Sequence, residues 1–370
     1  MNDTKVHILN VLQASKFQNS MECIVITGVT GQDGSHMVDY LLENTDEYVI
    51  FGAVRRSSTY NHQNIQHITS ERFCLINFDL SDSHTISKIF ELLKPTYFLN
   101  FAAQSFVGCS WNYPEQTWNT NATSVIHILE GIRTHCPTCK FYQAGSSEEF
   151  GKLEYSPQNE KHPLNPQNPY GASKVASRVI VNVWRKTYNL FAIQGWLFNH
   201  EGTRRGEDFV TRKLSKGIAY IKFCLEKELD VVPLSVGNIY AVRDWSDAED
   251  FVDGIWKMLN MDEPKDYVLA SGVSTSVKDF INIALDTVDI HGIWENTTDN
   301  PLNEIYYIMK GSEKIILINI DKIYYRDVHT ELQYRGDSSR ARQELNWIPR
   351  SNIRDLVAKM VRYDYQIINC

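Results

Sequence analysis

The sequence lacks any uninterrupted run of about 18 apolar residues, the length that a membrane-spanning helix requires. It also lacks a recognisable secretory signal at its start, because the apolar stretch Val6–Leu12 is short and is interrupted by His7 and Asn10. Positive charge is scarce: 37 Lys and Arg residues against 45 Asp and Glu residues give a net charge of −8. We therefore expect no membrane partner and no nucleic-acid partner, and local basic groups must bind any anionic ligand.

Cysteine is sparse as well. Seven cysteines, an odd number, are scattered along 370 residues, which is typical of a reducing compartment and predicts a cytoplasmic location. Cys136 and Cys139 have the spacing of a metal-binding or redox pair, but the sequence has no second such pair to complete a zinc site. We interpret them as two unrelated thiols and expect no metal.

What the first half of the chain does contain is a regular alternation of short apolar runs with helical stretches. Such strands joined by crossover helices indicate a parallel sheet covered on both faces. The fold class expected is therefore α/β, a Rossmann-type doubly wound parallel sheet with a smaller C-terminal substrate-binding lobe. The predicted strands are Glu22–Thr27, Tyr48–Val54, Phe73–Phe78, Tyr97–Phe101, Lys140–Ala144, Phe191–Leu197 and Tyr267–Ala270, and the predicted helices include Met37–Glu43, His84–Leu93 and Thr120–Arg133.

A glycine-rich turn follows the first predicted strand. Gly28, Gly31 and Gly34 have the G-x-x-G-x-x-G spacing, with a strand before them and a helix after them. In this context the glycines allow a tight turn and a close approach of backbone N–H groups to a pyrophosphate. The turn predicts a dinucleotide cofactor at the carboxyl end of the sheet.

The end of the second strand indicates which dinucleotide is bound. NAD-binding proteins usually have an acidic residue there for the ribose hydroxyls, whereas this chain has Arg55, Arg56, Ser57 and Ser58. Two guanidinium groups and two hydroxyls suit a ribose 2′-phosphate, so we predict NADP.

A Tyr-x-x-x-Lys pair opens a predicted helix that runs toward Tyr188. The spacing brings Tyr170 and Lys174 to one face of that helix. A tyrosine with its ordinary pKa near 10 is a poor base at neutral pH, and an adjacent ammonium lowers that pKa by about 1–3 units. Tyr170 is thus a candidate for accepting a proton from a sugar hydroxyl during its oxidation.

A polar loop follows the predicted strand Lys140–Ala144. The hydroxyl of Ser146 suits orientation of the reacting oxygen, and the carboxylate of Glu148 suits removal of a proton next to a ketone. Taken alone, these residues favour more ordinary roles, namely loop capping for Ser146 and a solvated loop charge for Glu148.

Together these motifs resemble the extended short-chain dehydrogenase/reductase superfamily. Two later stretches, Leu197–Lys213 and Val236–Trp245, are similar to the GDP-mannose 4,6-dehydratase family, and the resemblance covers roughly residues 22–363. The resemblance implies an internal redox cycle. The sugar is oxidised at C4, loses the C5 proton and the C6 hydroxyl as water, and is reduced at C6 by the same cofactor.

The resemblance also implies residue roles. Tyr170, Lys174, Ser146 and Glu148 would be catalytic, with Glu148 the base for the C5 proton. The cofactor would contact Gly28, Val29, Thr30, Gly31, Gln32, Asp33, Arg55, Arg56, Ser57, Ser58, Asp79, Leu80, Phe101, Ala102, Ala103, Gln104, Ser105, Lys174, His200 and Arg205. The nucleotide sugar would contact Asn199, Lys213 and Arg243.

With these roles the domain organisation becomes specific. We expect an N-terminal extension at 1–20 and an NADP-binding domain at 21–198, to which a segment at about 236–272 returns. Residues 199–235 and 273–370 would mainly form a nucleotide-sugar-binding lobe. The chain departs from the family pattern at Gly145, where serine is usual, at Gln116, where tyrosine is usual, and at Tyr240, where aspartate is usual.

The predicted activity is conversion of GDP-mannose to GDP-4-dehydro-6-deoxy-mannose by a homodimer or homotetramer. An epimerase or a 4-keto reductase of a related GDP-sugar, such as GDP-heptose, shares the fold and the Tyr-Lys pair. A non-catalytic NADP-binding sensor is the alternative from another functional class.

Overall fold

The computed structural model describes residues 22–56, 61–296, 300–326 and 333–369. The expected N-terminal extension at 1–20 and the cofactor candidates Ser57 and Ser58 lie outside the described residues.

The first half of the chain contains β1 (Glu22–Thr27), α1 (Gln32–Asn44), β2 (Tyr48–Val54), β3 (Phe73–Asn77), α2 (Ser83–Leu93), β4 (Tyr97–Asn100), α3 (Val107–Ser110), α4 (Pro114–Trp118), a π-helical turn (Asn119–Thr123), α5 (Ser124–His135), β5 (Lys140–Ala144), a 3₁₀ turn (Ser147–Glu149), α6 (Pro169–Tyr188) and β6 (Ala192–Leu197). The second half contains β7 (Asn199–Glu201), α7 (Val210–Glu226), β8 (Leu234–Val236), β9 (Val242–Asp247), α8 (Ala248–Leu259), β10 (Val268–Leu269), β11 (Ser274–Ser276), α9 (Val277–Thr287), β12 (Ile293–Asn296), a 3₁₀ turn (Pro301–Asn303), β13 (Glu304–Lys310), β14 (Glu313–Ile320), α10 (Ser339–Leu345) and α11 (Ile353–Asn369).

Seven strands form one sheet in the order β10-β6-β5-β4-β1-β2-β3, and every neighbouring pair is parallel. The strand order reverses at β1, which pairs with β2 on one side and with β4 on the other. This is the doubly wound arrangement that the sequence predicts, so the fold class is confirmed. Ligands of such sheets bind at the carboxyl ends of the strands beside the reversal.

Alternation along β1 explains why its sequence is almost continuously apolar. Ile24 and Ile26 are buried in a core that contains residues of α1 and α8. Cys23 and Val25 are buried in a second core, which contains residues of α2, α5 and α6. Because successive side chains of a strand point to opposite faces, a strand covered on both faces must be apolar at every position.

Helix α1 begins at Gln32, five residues before the predicted start at Met37. Its first turns contain buried polar residues, among them Gln32, Ser35 and His36. Because these buried positions are polar, the spacing of apolar residues does not indicate the first turns of the helix.

The chain forms two compact units, and each unit consists of three separate segments of the sequence. Unit 1 comprises residues 1–198, 248–269 and 337–348, and unit 2 comprises 199–247, 270–336 and 349–370. The returning segment is therefore shorter than the expected 236–272, because β9 pairs with β7 and β11 in unit 2. Segment 337–348 was not expected in unit 1, where Trp347 is completely buried.

Unit 2 has two small sheets, β11-β9-β7 and β12-β13-β14-β8. Its core combines residues of helices α7, α9 and α11 with residues of β9 and β14. Trp245 of β9 packs edge-on against Phe280 of α9, with ring centroids 5.5 Å apart.

Candidate active site

The glycine turn follows β1 at the point where the strand order reverses. Gly28 has a φ of +68°, and a Cβ there would lie 2.7 Å from the backbone nitrogen of Ala102. Only glycine fits both the left-handed backbone and this close approach. The turn therefore lies directly against the loop that follows β4, and α1 begins immediately beyond Gly31. This is the geometry that the sequence predicts for a pyrophosphate-binding turn.

A row of buried polar side chains crosses the strands behind this turn. Thr27 Oγ1 donates to Asn100 Oδ1 at 2.5 Å and accepts from the Ala102 N–H at 3.1 Å. Asn100 Nδ2 donates to Gln143 Oε1 at 2.7 Å. These residues are directly paired across β1, β4 and β5, so the bonds fix the relative position of the loops that follow these strands. The polar residue near the end of each apolar run is the sequence signal for this row, although no role was predicted for these three residues.

The loop after β4 is held by a second buried amide. Asn121 accepts from the backbone N–H of Gln104 at 2.9 Å and donates to its carbonyl at 3.0 Å and to Ser173 Oγ at 3.0 Å. In the part of the chain that the structure describes, Gln104 Oε1 is buried without a hydrogen-bond partner. A buried acceptor without a donor lowers the stability of the folded protein. A ligand that donates a hydrogen bond to this atom would remove that cost, so the loop suits ligand binding.

Of the remaining cofactor candidates, Arg55 and Arg56 are exposed beyond the end of β2. Leu80 is buried, and Asp79 is half-buried and accepts from the N–H and hydroxyl of Ser81. The guanidinium groups are thus available to an anionic ligand from solvent.

Tyr170 and Lys174 lie in the first turns of α6, as predicted. Asn168 caps this helix by accepting from the Gly171 N–H at 2.7 Å, and Pro169 occupies the first helical position. The Lys174 ammonium is 5.7 Å from the centroid of the Tyr170 ring. Both side chains are buried, so their interaction is little screened by water.

Burial has a strong effect on Lys174. It lowers the pKa of the ammonium to about 8, although the Glu149 and Asp33 carboxylates act in the opposite direction. Lys174 Nζ donates to the Ala144 carbonyl at 2.8 Å. Lys174 is therefore mostly protonated at neutral pH and loses its charge as the pH rises through about 8.

The loop after β5 brings Ser146 and Glu148 to the same end of the sheet. Ser146 Oγ accepts from the Glu148 N–H at 3.2 Å. Glu148 Oε2 accepts from Asn168 Nδ2 at 2.8 Å. One asparagine thus caps the helix of Tyr170 and holds the carboxylate of Glu148. Asn168 was not among the predicted site residues, although Asn-Pro at a helix start is a capping signal.

In unit 2, the predicted residues Asn199 and His200 lie on β7, which pairs in parallel with β9. Arg205 forms an ion pair with the buried Glu201 at 3.0 Å, and its guanidinium stacks on Phe209 at 3.5 Å. The side chain of Arg205 is thereby held in one orientation.

Lys213 and Arg243 each contact a tyrosine. Lys213 Nζ is 3.4 Å from the centroid of Tyr324, and burial lowers the pKa of this lysine. The Arg243 guanidinium is 5.5 Å from the centroid of Tyr334. The two cations suit the negative charges of a ligand, and the tyrosine rings beside them suit a planar ring of the same ligand.

Asp244, next to Arg243, organises the surrounding loops. Its buried carboxylate accepts from the backbone N–H groups of Ser271, Gly272 and Gly336 and from the Ser271 hydroxyl, at 2.6–3.0 Å. Burial raises the pKa of Asp244, and these donors oppose the increase. Tyr240, one of the departures, donates to Glu304 Oε2 at 2.6 Å.

The neighbouring Cys139 thiol lowers the pKa of the Cys136 thiol. A turn with a Cys139 N–H to Cys136 carbonyl bond at 2.9 Å brings the two residues close together, and both are free thiols. Within residues 22–56, 61–296, 300–326 and 333–369, three or more His, Cys, Asp or Glu side chains are nowhere arranged to hold a metal ion. Over the same residues, none of the helices has both the length and the apolar character needed to span a bilayer.

Comparison with known proteins gives one family. The family model described as GDP-mannose 4,6 dehydratase matches residues 25–360. The GDP-mannose 4,6 dehydratase of Cricetulus griseus is 39% identical over 355 residues, which cover 93% of this chain and 91% of that protein.

Solved structures share the fold at lower identity. RMD from Pseudomonas aeruginosa, complexed with NADPH, superimposes with a TM-score of 0.73 at 19% identity, covering 94% of this chain and 100% of that one. UDP-glucuronic acid 4-epimerase from Bacillus cereus, in complex with UDP-glucuronic acid and NAD, gives 0.74 at 20% identity, covering 93% and 99%. At this identity the structural likeness concerns the fold alone.

Proposed function

Because the chain belongs to the GDP-mannose 4,6-dehydratase family, we propose that it is an NADP-dependent hydro-lyase that converts GDP-mannose to GDP-4-dehydro-6-deoxy-mannose. The observation that carries this reaction is the contact of Asn168 with Glu148 at the start of the Tyr170 helix. Oxidation of an alcohol needs one proton acceptor, whereas elimination of water also needs a base for the carbon-bound proton. Tyr170 and Glu148 supply these two groups.

The residues at the carboxyl end of the sheet fit a dinucleotide cofactor. The Gly28 turn leaves no room for a side chain against Ala102. Among the described residues, none donates a hydrogen bond to the buried acceptor Gln104 Oε1, which a ligand could do. Arg55 and Arg56 favour the 2′-phosphate of NADP over the free hydroxyl of NAD. When bound, the nicotinamide supplies the hydride acceptor and donor.

Proton transfer begins at Tyr170. The nearby ammonium of Lys174 favours the phenolate, so the Tyr170 oxygen takes the proton of the C4 hydroxyl. Ser146 orients the same sugar oxygen by a hydrogen bond. Stabilisation of the Tyr170 phenolate requires Lys174 to be protonated.

Glu148 acts after the C4 ketone has formed. The ketone acidifies the C5–H bond, and the Glu148 carboxylate takes that proton. The resulting carboxylic acid gives the proton to the C6 hydroxyl, which leaves as water. Asn168 holds one carboxylate oxygen at 2.8 Å, which leaves the other oxygen for the substrate.

We assign the nucleotide part of the substrate to unit 2. Asn199, Lys213 and Arg243 would bind the guanosine diphosphate, and His200 and Arg205 would reach the cofactor. The cationic and aromatic pairs Lys213–Tyr324 and Arg243–Tyr334 support this assignment.

We further propose that the enzyme is a cytoplasmic homodimer or homotetramer. The six described cysteines are free thiols, which supports a reducing compartment. Trp111, Tyr113 and Trp118 are 63%, 56% and 48% exposed in a single chain, which supports burial against a second copy.

Incubation of the protein with GDP-mannose and stoichiometric NADP tests the activity. Mass spectrometry should detect loss of water without net consumption of NADPH. The same assay with GDP-, UDP- and dTDP-linked hexoses should show preference for GDP-mannose, since a site built for one base leaves polar groups unpaired with another. Net NADPH consumption, epimerisation without loss of water, or faster dehydration of a UDP- or dTDP-sugar would contradict the proposal.

A further inference from the structure

A completely buried ion pair lies beside the catalytic groups without belonging to any predicted role. The side chains of Glu149 and Arg178 are 0% and 3% exposed. Arg178 Nε donates to Glu149 Oε2 at 2.5 Å, and Nη2 donates to Oε1 at 3.2 Å. Such a bidentate pair fixes both side chains in direction as well as in distance.

Glu149 ties this pair to the catalytic loop. Its Oε1 atom accepts from the Ser146 N–H at 2.9 Å, while Ser146 Oγ accepts from the Glu148 N–H. These reciprocal bonds form a capping box around the short turn that contains Glu148. The position of Glu148 therefore depends on the carboxylate of its neighbour.

Arg178 ties the pair to the catalytic helix. It follows Lys174 by four residues and Tyr170 by eight, so the three side chains lie along one face of α6. Its guanidinium also donates to the carbonyls of Gln194 and Gly195, and it stacks on Trp196 at 3.4 Å. Arg178 thus joins the middle of α6 to strand β6.

Gly145 makes room for the ion pair. A Cβ at this position would lie 2.0 Å from the Gly195 carbonyl oxygen and 2.7 Å from Glu149 Oε1. The departure from serine at this position therefore has a physical reason in this chain, because any side chain would displace either β6 or the Glu149 carboxylate.

The pair also influences Lys174. Glu149 and Asp33 are the carboxylates that oppose the effect of burial on the pKa of Lys174, and Tyr170 is the titratable ring beside it. Neutralising Glu149 removes one of these two favourable charges.

We propose that Glu149 and Arg178 are a pair of positioning residues, which lock the Ser146–Glu148 loop onto the Tyr170–Lys174 helix and hold a negative charge near the Lys174 ammonium. The inference rests on the proposed function for its effect on turnover. Its effect on Lys174 can be measured without substrate.

The first test uses Glu149→Gln. Glutamine has the same size and its amide oxygen still accepts from the Ser146 N–H, but the charge is lost. We expect kcat on GDP-mannose to fall about tenfold with KM within about twofold. NMR of 13C-labelled lysine, assigned with Lys174→Arg, should show the Lys174 pKa lower by about one pH unit than in the wild type. Lys186→Gln is the matched control, since Lys186 lies on the same helix and its side chain is exposed. Arg185 is unsuitable, because its partner Asp266 also forms an ion pair with Arg178.

The second test is the double variant Glu149→Leu/Arg178→Met, which leaves no unpaired buried charge and is expected to fold. Folding is verified by the thermal midpoint, and kcat per folded molecule should remain at least about tenfold below that of the wild type. Recovery of wild-type kcat, or an unchanged Lys174 titration in Glu149→Gln, overturns the inference. If the wild type does not dehydrate GDP-mannose, the proposed function fails, and the Lys174 titration alone decides the inference.

Discussion

Lys174 Nζ donates to the backbone carbonyl of Ala144 at 2.8 Å, from the first turns of α6 to the last residue of β5. The bond holds the ammonium at the carboxyl end of the sheet, although burial disfavours its charge. The charged form of Lys174 is therefore retained only over a limited pH range.

The first prediction concerns that range. The pKa of Lys174 is lowered to about 8, so the lysine is protonated below this pH and loses its charge as pH rises through it. The rate of substrate oxidation, measured by NADPH absorbance in a single turnover, should therefore fall above about pH 8. A rate that stays constant well beyond this pH would show that Tyr170 does not depend on the ammonium.

The same titration has the opposite effect on stability. Below the folded pKa of about 8, the buried ammonium costs free energy, and this cost disappears as pH rises toward the pKa of the unfolded chain. Lys174→Met should thus increase the free energy of unfolding at neutral pH, by at most about 3 kcal/mol, while abolishing activity. Denaturant unfolding of both proteins across this pH range checks the sign. A difference that does not shrink with rising pH would contradict the assignment.

The second prediction separates the two functions of Asn168. Asn168→Ala should lose about 1 kcal/mol of stability with the helix cap and reduce kcat about tenfold with the contact to Glu148. Asn168→Ser keeps a capping oxygen without an amide donor, so it should restore stability and leave kcat low. Solvent deuterium incorporation at C5 measures the Glu148 step directly. Equal incorporation in Asn168→Ser and wild type would show that the contact is only structural.

The third prediction concerns the cofactor. Arg55→Asp should weaken NADP binding by about 1.5–3 kcal/mol and improve binding of NAD, because a phosphate partner is replaced by an acceptor for ribose hydroxyls. Arg133→Asp, at an exposed ion pair on α5, provides the control. Titration calorimetry with both dinucleotides gives the result, and wild-type protein that binds NAD as tightly as NADP would refute the assignment.

The fourth prediction concerns the substrate. Lys213→Met should raise KM for GDP-mannose by about tenfold or more, with NADP affinity unchanged, since a charged hydrogen bond to a phosphate contributes about 1.5–3 kcal/mol. Lys216→Met removes an exposed lysine of the same helix, whose partner is Glu207, and should leave KM unaltered. A loss of NADP affinity in Lys213→Met would instead assign this lysine to the cofactor.

The sheet could be predicted from the sequence because its strands are apolar on both faces. The predicted bounds of β1, β2 and β5 agree with the structure, and the Tyr170 helix ends at Tyr188 as expected. Tyr170 and Lys174 could be identified from their spacing at a helix start. Ser146 and Glu148 follow a recognisable strand, but only the family resemblance gave them catalytic roles. Their catalytic roles stay predictions.

What the sequence did not reveal depends on contacts between distant segments. The Glu149–Arg178 pair joins residues 29 apart, and the Asn100–Gln143 bond joins residues 43 apart. A glutamate in a loop and an arginine in a helix are ordinary residues until the fold brings them together. The same holds for segment 337–348, whose sequence carries no sign of the unit in which it is buried.

The last prediction concerns Trp347. Its ring is completely buried in unit 1, where it packs edge-on against Phe251 at 5.7 Å and donates to the Asp250 carbonyl at 2.8 Å. Trp347→Ala should reduce the free energy of unfolding by about 3–5 kcal/mol. Trp347→Phe, which keeps an aromatic ring, should lose less. Equal midpoints for Trp347→Ala and wild type would show that this segment contributes little to the core.

The burial of Trp347 has a consequence for synthesis. A ribosome delivers the chain from its amino end, so the nascent sheet unit has its first six strands long before α8, β10 and the tryptophan emerge. Ile26 and Leu99 belong to a core that also contains residues of those later segments. Until these are synthesised, part of one face of the sheet is therefore incompletely covered. While residues 199–347 are being synthesised, this uncovered apolar surface makes the partly folded chain prone to aggregation.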